Sequence, residues 1–126
     1  MKGLRRKPTD AELAILRVIW SRGPSTVRQV AEQMGRDTGY TTVLKLLQIM
    51  TEKRLVTRDE SSRTHVYAAA YTQEQTERQI VSDLVERVFE GSAAKLVMQA
   101  LAATKASPEE LDEIRKLIAI KTGGSR

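Results

Sequence analysis

Apolar residues recur at helical spacing through the first fifty positions and are interrupted by glycine, proline and short hydroxyl residues. Leu13, Leu16, Ile19 and Trp20 fall on one stripe, opened by Thr9 with Glu12 three positions later, the pattern of a capping box. Gly23-Pro24 ends that helix. Ser25 or Thr26 can cap a second, shorter helix through Val27, Val30, Ala31 and Met34, which Gly35 stops. A short 36–39 connection leads to a third helix, roughly Tyr40 to Arg54. It places Val43, Leu46, Leu47 and Met50 on one side and Thr41, Leu44, Lys45 and Gln48 on the other. Two helices joined by a short glycine-containing turn form a helix-turn-helix, whose second helix enters a DNA groove.

After Leu55 the period shortens. Val56-Thr57-Arg58-Asp59 and Thr64-His65-Val66-Tyr67-Ala68 flank a polar 60–63 link, which predicts a β-hairpin. Three helices and a hairpin make a winged helix-turn-helix over residues 1–71, and residues 72–126 return to helical patterning. Thr72 starts a helix carrying Ile80, Leu84, Val85 and Val88; Gly91-Ser92 breaks it; Leu96, Val97, Ala100 and Leu101 mark the next. Ser107-Pro108-Glu109-Glu110 is a helix start, and Leu111, Ile114, Leu117 and Ile118 follow on one face. Three helices of this length enclose little core alone, so 72–126 is expected to dimerise through Ile80, Leu84, Val88, Leu96, Val97, Leu101, Leu111, Ile114, Leu117 and Ile118. The alternative is that these helices pack on their own winged domain. Gly123-Gly124-Ser125-Arg126 is expected to fray. The fold class is mainly α with a small β-hairpin wing.

Charge sharpens the division. Residues 1–70 carry 13 Lys and Arg against 7 Asp and Glu, a balance of +6, while residues 71–126 carry 8 against 9, a balance of −1. A basic first half suits a polyanion. The outer face of the third helix has the mixture that meets a major groove, in which lysine and glutamine reach base edges and an apolar group touches a thymine methyl. The DNA-contacting set is therefore Tyr40, Thr41, Thr42, Leu44, Lys45 and Gln48 from that helix. Ser25, Thr26 and Arg28 join it at a helix start that favours phosphate, and Arg63 at the hairpin tip reaches a backbone or minor groove.

Other chemistry is sparse. The chain has no cysteine and one histidine, His65, which excludes disulfides and thiolate catalysis and makes a metal site a poor reading. No cofactor motif and no nucleophile–base pair is visible, so the chain reads as non-enzymatic. There is no secretory signal pattern and no apolar run of membrane-spanning length, and a cytoplasmic location is expected.

In order and spacing the segments resemble the penicillinase-repressor family, the BlaI/MecI-type transcriptional repressors. The matching pieces are Thr9-x-x-Glu12-Leu13 with Ile19-Trp20, Thr26-Val27-Arg28-Gln29-Val30, Tyr40-Thr41-Thr42-Val43 with Leu47, and Arg63-x-His65-x-Tyr67. Val88-Phe89-Glu90-Gly91-Ser92 through Leu96-Val97 and Leu111-x-x-Ile114-Arg115-x-Leu117-Ile118 extend the likeness over nearly the whole chain. The resemblance implies a homodimeric repressor on an inverted-repeat operator controlling β-lactam resistance genes. It also implies release when a membrane-bound sensor metalloprotease triggers cleavage after Gly91, here across Ser92, Ala93, Ala94 and Lys95.

Three departures stand out. Members often carry an arginine where this chain has Ile49 and a small hydroxyl residue where it has Lys45, so a cation has moved one turn earlier. The 91–95 segment lacks the family's aromatic residue. The absence of cysteine argues against the copper-responsive branch. Two other readings fit the bare pattern: a winged-helix adaptor that binds protein, and a ligand-responsive winged-helix regulator.

Overall fold

Thr9 closes the expected capping box: its side chain accepts from the Glu12 N–H at 3.2 Å, and Glu12 accepts from the Thr9 N–H at 2.9 Å. The computed structural model describes residues 7–124. Helix α1 (Asp10–Arg22) follows that box and buries Ile15, Leu16 and Ile19. Thr26, not Ser25, caps α2 (Val27–Met34), again reciprocally with Gln29. Gly35 ends α2 at φ 92°, a left-handed value that side-chain-bearing residues rarely adopt. Helix α3 (Tyr40–Glu52) presents Val43, Leu47 and Met50 to the interior, all at 0% exposure.

Strands β1 (Val56–Asp59) and β2 (Val66–Ala69) pair antiparallel, with Val56 opposite Ala69 and Asp59 opposite Val66. Ser25 adds a third, one-residue rung to this wing. Its N–H donates to the Tyr67 carbonyl at 2.9 Å, and the Tyr67 N–H donates back at 2.8 Å. The wing is thus tied to the loop that opens α2, and Val56 and Tyr67 seal one side of the core formed by α1, α2 and α3.

One charge is buried in this unit. Glu12 receives the Lys53 ammonium at 2.7 and 3.0 Å while also accepting from Thr9, so the carboxylate is both paired and hydrogen-bonded. Such a pair joins the first turn of α1 to the end of α3 and makes removal of either partner costly. Trp20 is half-buried, and its indole N–H donates to the Tyr71 carbonyl at 3.0 Å.

Helix α4 (Gln73–Val88) starts from a further reciprocal cap between Thr72 and Gln75. The compact units divide inside it, between Ser82 and Asp83, whereas the sequence placed the boundary after residue 71. The reason is in the side chains: Thr76 is buried and Ile80 packs against the winged core. The first turns of α4 therefore complete the first unit, and Ile80, expected in a dimer seam, packs half-buried against that core.

The second unit holds the end of α4, α5 (Ala93–Ala103) and α6 (Pro108–Gly124). Ser107 caps α6 as its pattern predicted. The fraying expected from Gly123 onward is not seen at Gly123 and Gly124, which lie in α6; Ser125 and Arg126 fall outside the described residues. None of the described residues of this unit is buried.

Candidate nucleic-acid interface

The outer side of α3 is solvent-facing along its length. Tyr40, Thr41, Thr42, Lys45 and Gln48 are exposed, while Leu44 is half-buried against the core and so shows only part of its side chain. Three turns of buried Val43, Leu47 and Met50 fix the roll of the helix, and this is what keeps the polar row outward. The Lys53–Glu12 pair anchors its far end.

Beside α3 a groove of about 310 Å³ opens between the start of α2 and the wing, lined by Thr26, Val27, Arg28, Tyr40, Leu44, Arg63, Thr64, His65 and Tyr67. The Arg28 guanidinium lies 5.9 Å from the centre of the Tyr40 ring, within the range of a cation–π contact that holds a long side chain in place. Arg63 closes the opposite wall. Two guanidinium groups facing one groove next to the N-terminus of α3 suit a phosphate backbone.

Wing charges are arranged asymmetrically. Arg58 is held by a hydrogen bond with Tyr67 and by the Glu60 carboxylate, both of which raise its pKa, so this cation is committed within the hairpin. Hydrogen bonds from the Ser61 side chain and then its backbone hold the Asp59 carboxyl below its ordinary range. Among the described residues, Lys45 and Arg63 have no carboxylate at ion-pair distance and remain available to an external anion.

The structure thus gathers Thr26, Arg28, Tyr40, Leu44 and Arg63 around one groove, with Thr41, Thr42, Lys45 and Gln48 on the adjoining helix face. Ser25 does not join them. It is at 0% exposure, its hydroxyl donates to the Gly23 carbonyl at 2.7 Å, and its backbone is committed to Tyr67. Sequence reasoning missed the groove's other lining residues, Val27, Thr64, His65 and Tyr67. His65 lies two residues after Arg63 in the link between β1 and β2, a closeness in sequence that could have flagged it.

In the second unit, Val88, Val97, Leu101, Leu111, Leu117 and Ile118 are exposed, and Leu84, Leu96 and Ile114 are half-buried. Met98 and Ile120, which the sequence reading left out, are the most exposed large apolar residues, at 65% and 67%. The segment proposed for cleavage is more ordered than its composition suggested. Glu90 and Gly91 turn the chain at φ 52° and 82°, and α5 begins at Ala93. The Ser92 side chain accepts from the Lys95 N–H at 3.1 Å, and the Lys95 ammonium reaches Glu90 at 3.1 Å. Ala93, Ala94 and Lys95 are therefore the first turn of a capped helix.

Among the described residues no helix is long and apolar enough to cross a membrane, and no group of acidic or histidine side chains has the composition of a metal site. A family model described as penicillinase repressor matches residues 8–120. The transcriptional regulator BlaI of Mycobacterium tuberculosis, in two strains, is 31% identical over 113 residues, covering 87% of this chain and 81% of that protein. The methicillin resistance regulatory protein MecI of Mammaliicoccus sciuri is 20% identical over 112 residues, covering 87% of this chain and 91% of that protein. The solved structure of the transcriptional regulator Tm0710 from Thermotoga maritima aligns with a TM-score of 0.48 at 17% identity, over 94% of this chain and 80% of that one.

Proposed function

We propose, from the premise that this chain belongs to the penicillinase-repressor family, the mechanism by which it acts as a DNA-binding transcriptional repressor. Helix α3 enters a major groove, with Thr41, Lys45 and Gln48 toward base edges and Thr42 toward base or phosphate. Arg28 and Arg63 grip the backbone on either side of the adjoining groove, Tyr40 supports the first of them, and Thr26 meets the same backbone at the start of α2. The observation that carries this reading is the junction of an outward polar α3 face with a two-arginine groove built from α2 and the wing.

Two copies act together on an inverted repeat. The support is the second unit, whose helices leave Val97, Met98, Leu101, Leu117, Ile118 and Ile120 exposed while none of its described residues is buried. Its near-neutral charge suits self-association. The protein works in the cytoplasm, where its operator is. The genes under control are those of β-lactam resistance, as the name of the MecI relative suggests, and release follows cleavage at the start of α5, prompted by a membrane sensor protease.

Selection of duplexes from a random pool, followed by titration of the selected duplex at several salt concentrations, tests the DNA reading. An inverted repeat should emerge, and affinity should fall steeply with salt, with a slope of about −0.9 per phosphate neutralised. A winged-helix adaptor for proteins would select no sequence and show little salt dependence.

A further inference from the structure

Tyr40, Ile49 and Val81 are the large apolar side chains left exposed among the described residues of the first unit. Tyr40 lies under Arg28, Val81 is on α4 and Leu44 is half-buried against the core, so Ile49, 36% exposed, is the apolar side chain that α3 leaves most open on its polar outer side. It follows Thr42 by seven residues and Lys45 by four, which sets all three along one line of the helix, with exposed Gln48 beside them. Rolling α3 to hide Ile49 would lift Val43, Leu47 and Met50 out of a core where each is fully buried. The backbone offers no slack either: the Lys53 N–H donates to the Ile49 carbonyl at 2.9 Å, and the Lys53 side chain is fixed to Glu12.

A β-branched apolar group held rigidly among hydroxyl, amide and ammonium groups has one natural counterpart in a major groove. The thymine C5 methyl is the only apolar feature that a base edge presents there, and a contact with it carries sequence information that hydrogen bonds do not. We infer that Ile49 reads a thymine methyl in each half-site, one helical turn beyond the base or phosphate met by Lys45. Ile49 is stiff at χ1, so little side-chain freedom is lost on contact. This inference rests on the reading of α3 as the groove-entering helix and adds a specificity-determining residue to it.

The test uses the full chain and the duplex it selects from a random pool. Each thymine is replaced in turn by deoxyuridine, which removes the methyl and leaves every hydrogen-bonding group in place. At one thymine per half-site the wild-type chain should lose about fourfold in affinity, the effect of leaving one methyl-sized group in water at ~0.8 kcal/mol. Ile49→Ala should bind the thymine and uracil duplexes equally, and Ile49→Val should retain part of the discrimination. Matching thermal unfolding of the variants establishes that the fold is unchanged, as expected for an exposed position. Uracil without effect at every thymine, or an effect undiminished in Ile49→Ala, overturns the assignment. Selection of a sequence with Lys45→Ala weakening it, but with no methyl dependence, overturns this inference alone; failure to select any sequence overturns the DNA reading with it.

Discussion

Lys45 and Lys53 are lysines on one helix and at its end, with opposite tasks. Lys45 is exposed and unpaired among the described residues, whereas Lys53 spends its charge on buried Glu12. Lys45→Ala should weaken operator binding by about 1–3 kcal/mol with relaxed selectivity at one position if the ammonium meets a guanine edge. If it meets only phosphate, the loss should be uniform across sequences, with the salt slope smaller by ~1. Titrations on two duplexes at two salt concentrations separate these outcomes, and no change in either quantity would remove Lys45 from the interface. Lys53→Met should leave stability, not DNA contact, as the casualty. It strands a carboxylate at 2% exposure and should cost about 3 kcal/mol in denaturant unfolding. A variant that unfolds at the wild-type midpoint would show that the pair contributes nothing. Lys53 was not legible as a partner of Glu12, because the contact joins residues 41 apart and no local pattern announces it.

At the level of elements, local signals were the legible ones. The boxes at Thr9, Thr26 and Thr72 and the cap at Ser107 each close within three residues, so spacing alone reveals them. Long-range rungs stayed hidden. Ser25 looked like a cap or a phosphate ligand because nothing near it in sequence shows its pairing with Tyr67. The packing of Ile80 on the winged core was hidden because α4 carries one apolar line through two units, and only the fold reveals which end meets that core. The same element scale governs cleavage. A protease needs an extended substrate, so cutting at 92–95 requires unwinding the first turn of α5 and breaking the Ser92 cap. Ser92→Ala should lower that opening cost by about 1 kcal/mol and speed cleavage at an engineered site across Ala93-Ala94 by roughly fivefold when opening is fast relative to cutting. Equal digestion rates would mean that α5 does not guard the segment.

At the scale of the whole molecule, positive charge gathers in the first half and most of the exposed large apolar residues lie in the second unit, the distribution that the proposed division between DNA binding and self-association calls for. A chain ending at residue 82 should fold, since it keeps Thr76 and Ile80, and should sediment as a monomer with much weaker operator binding. A chain ending at residue 71 loses both contacts and should unfold at a lower denaturant concentration than the 82-residue chain. The central claim is that two copies read one inverted repeat, each through α3. Native mass spectrometry of the full chain on its selected duplex tests it most directly. The expected result is two chains per duplex with no one-chain complex accumulating during titration, and loss of that pairing when one half-site is scrambled. A single chain bound at saturation, or binding indifferent to the second half-site, would contradict it.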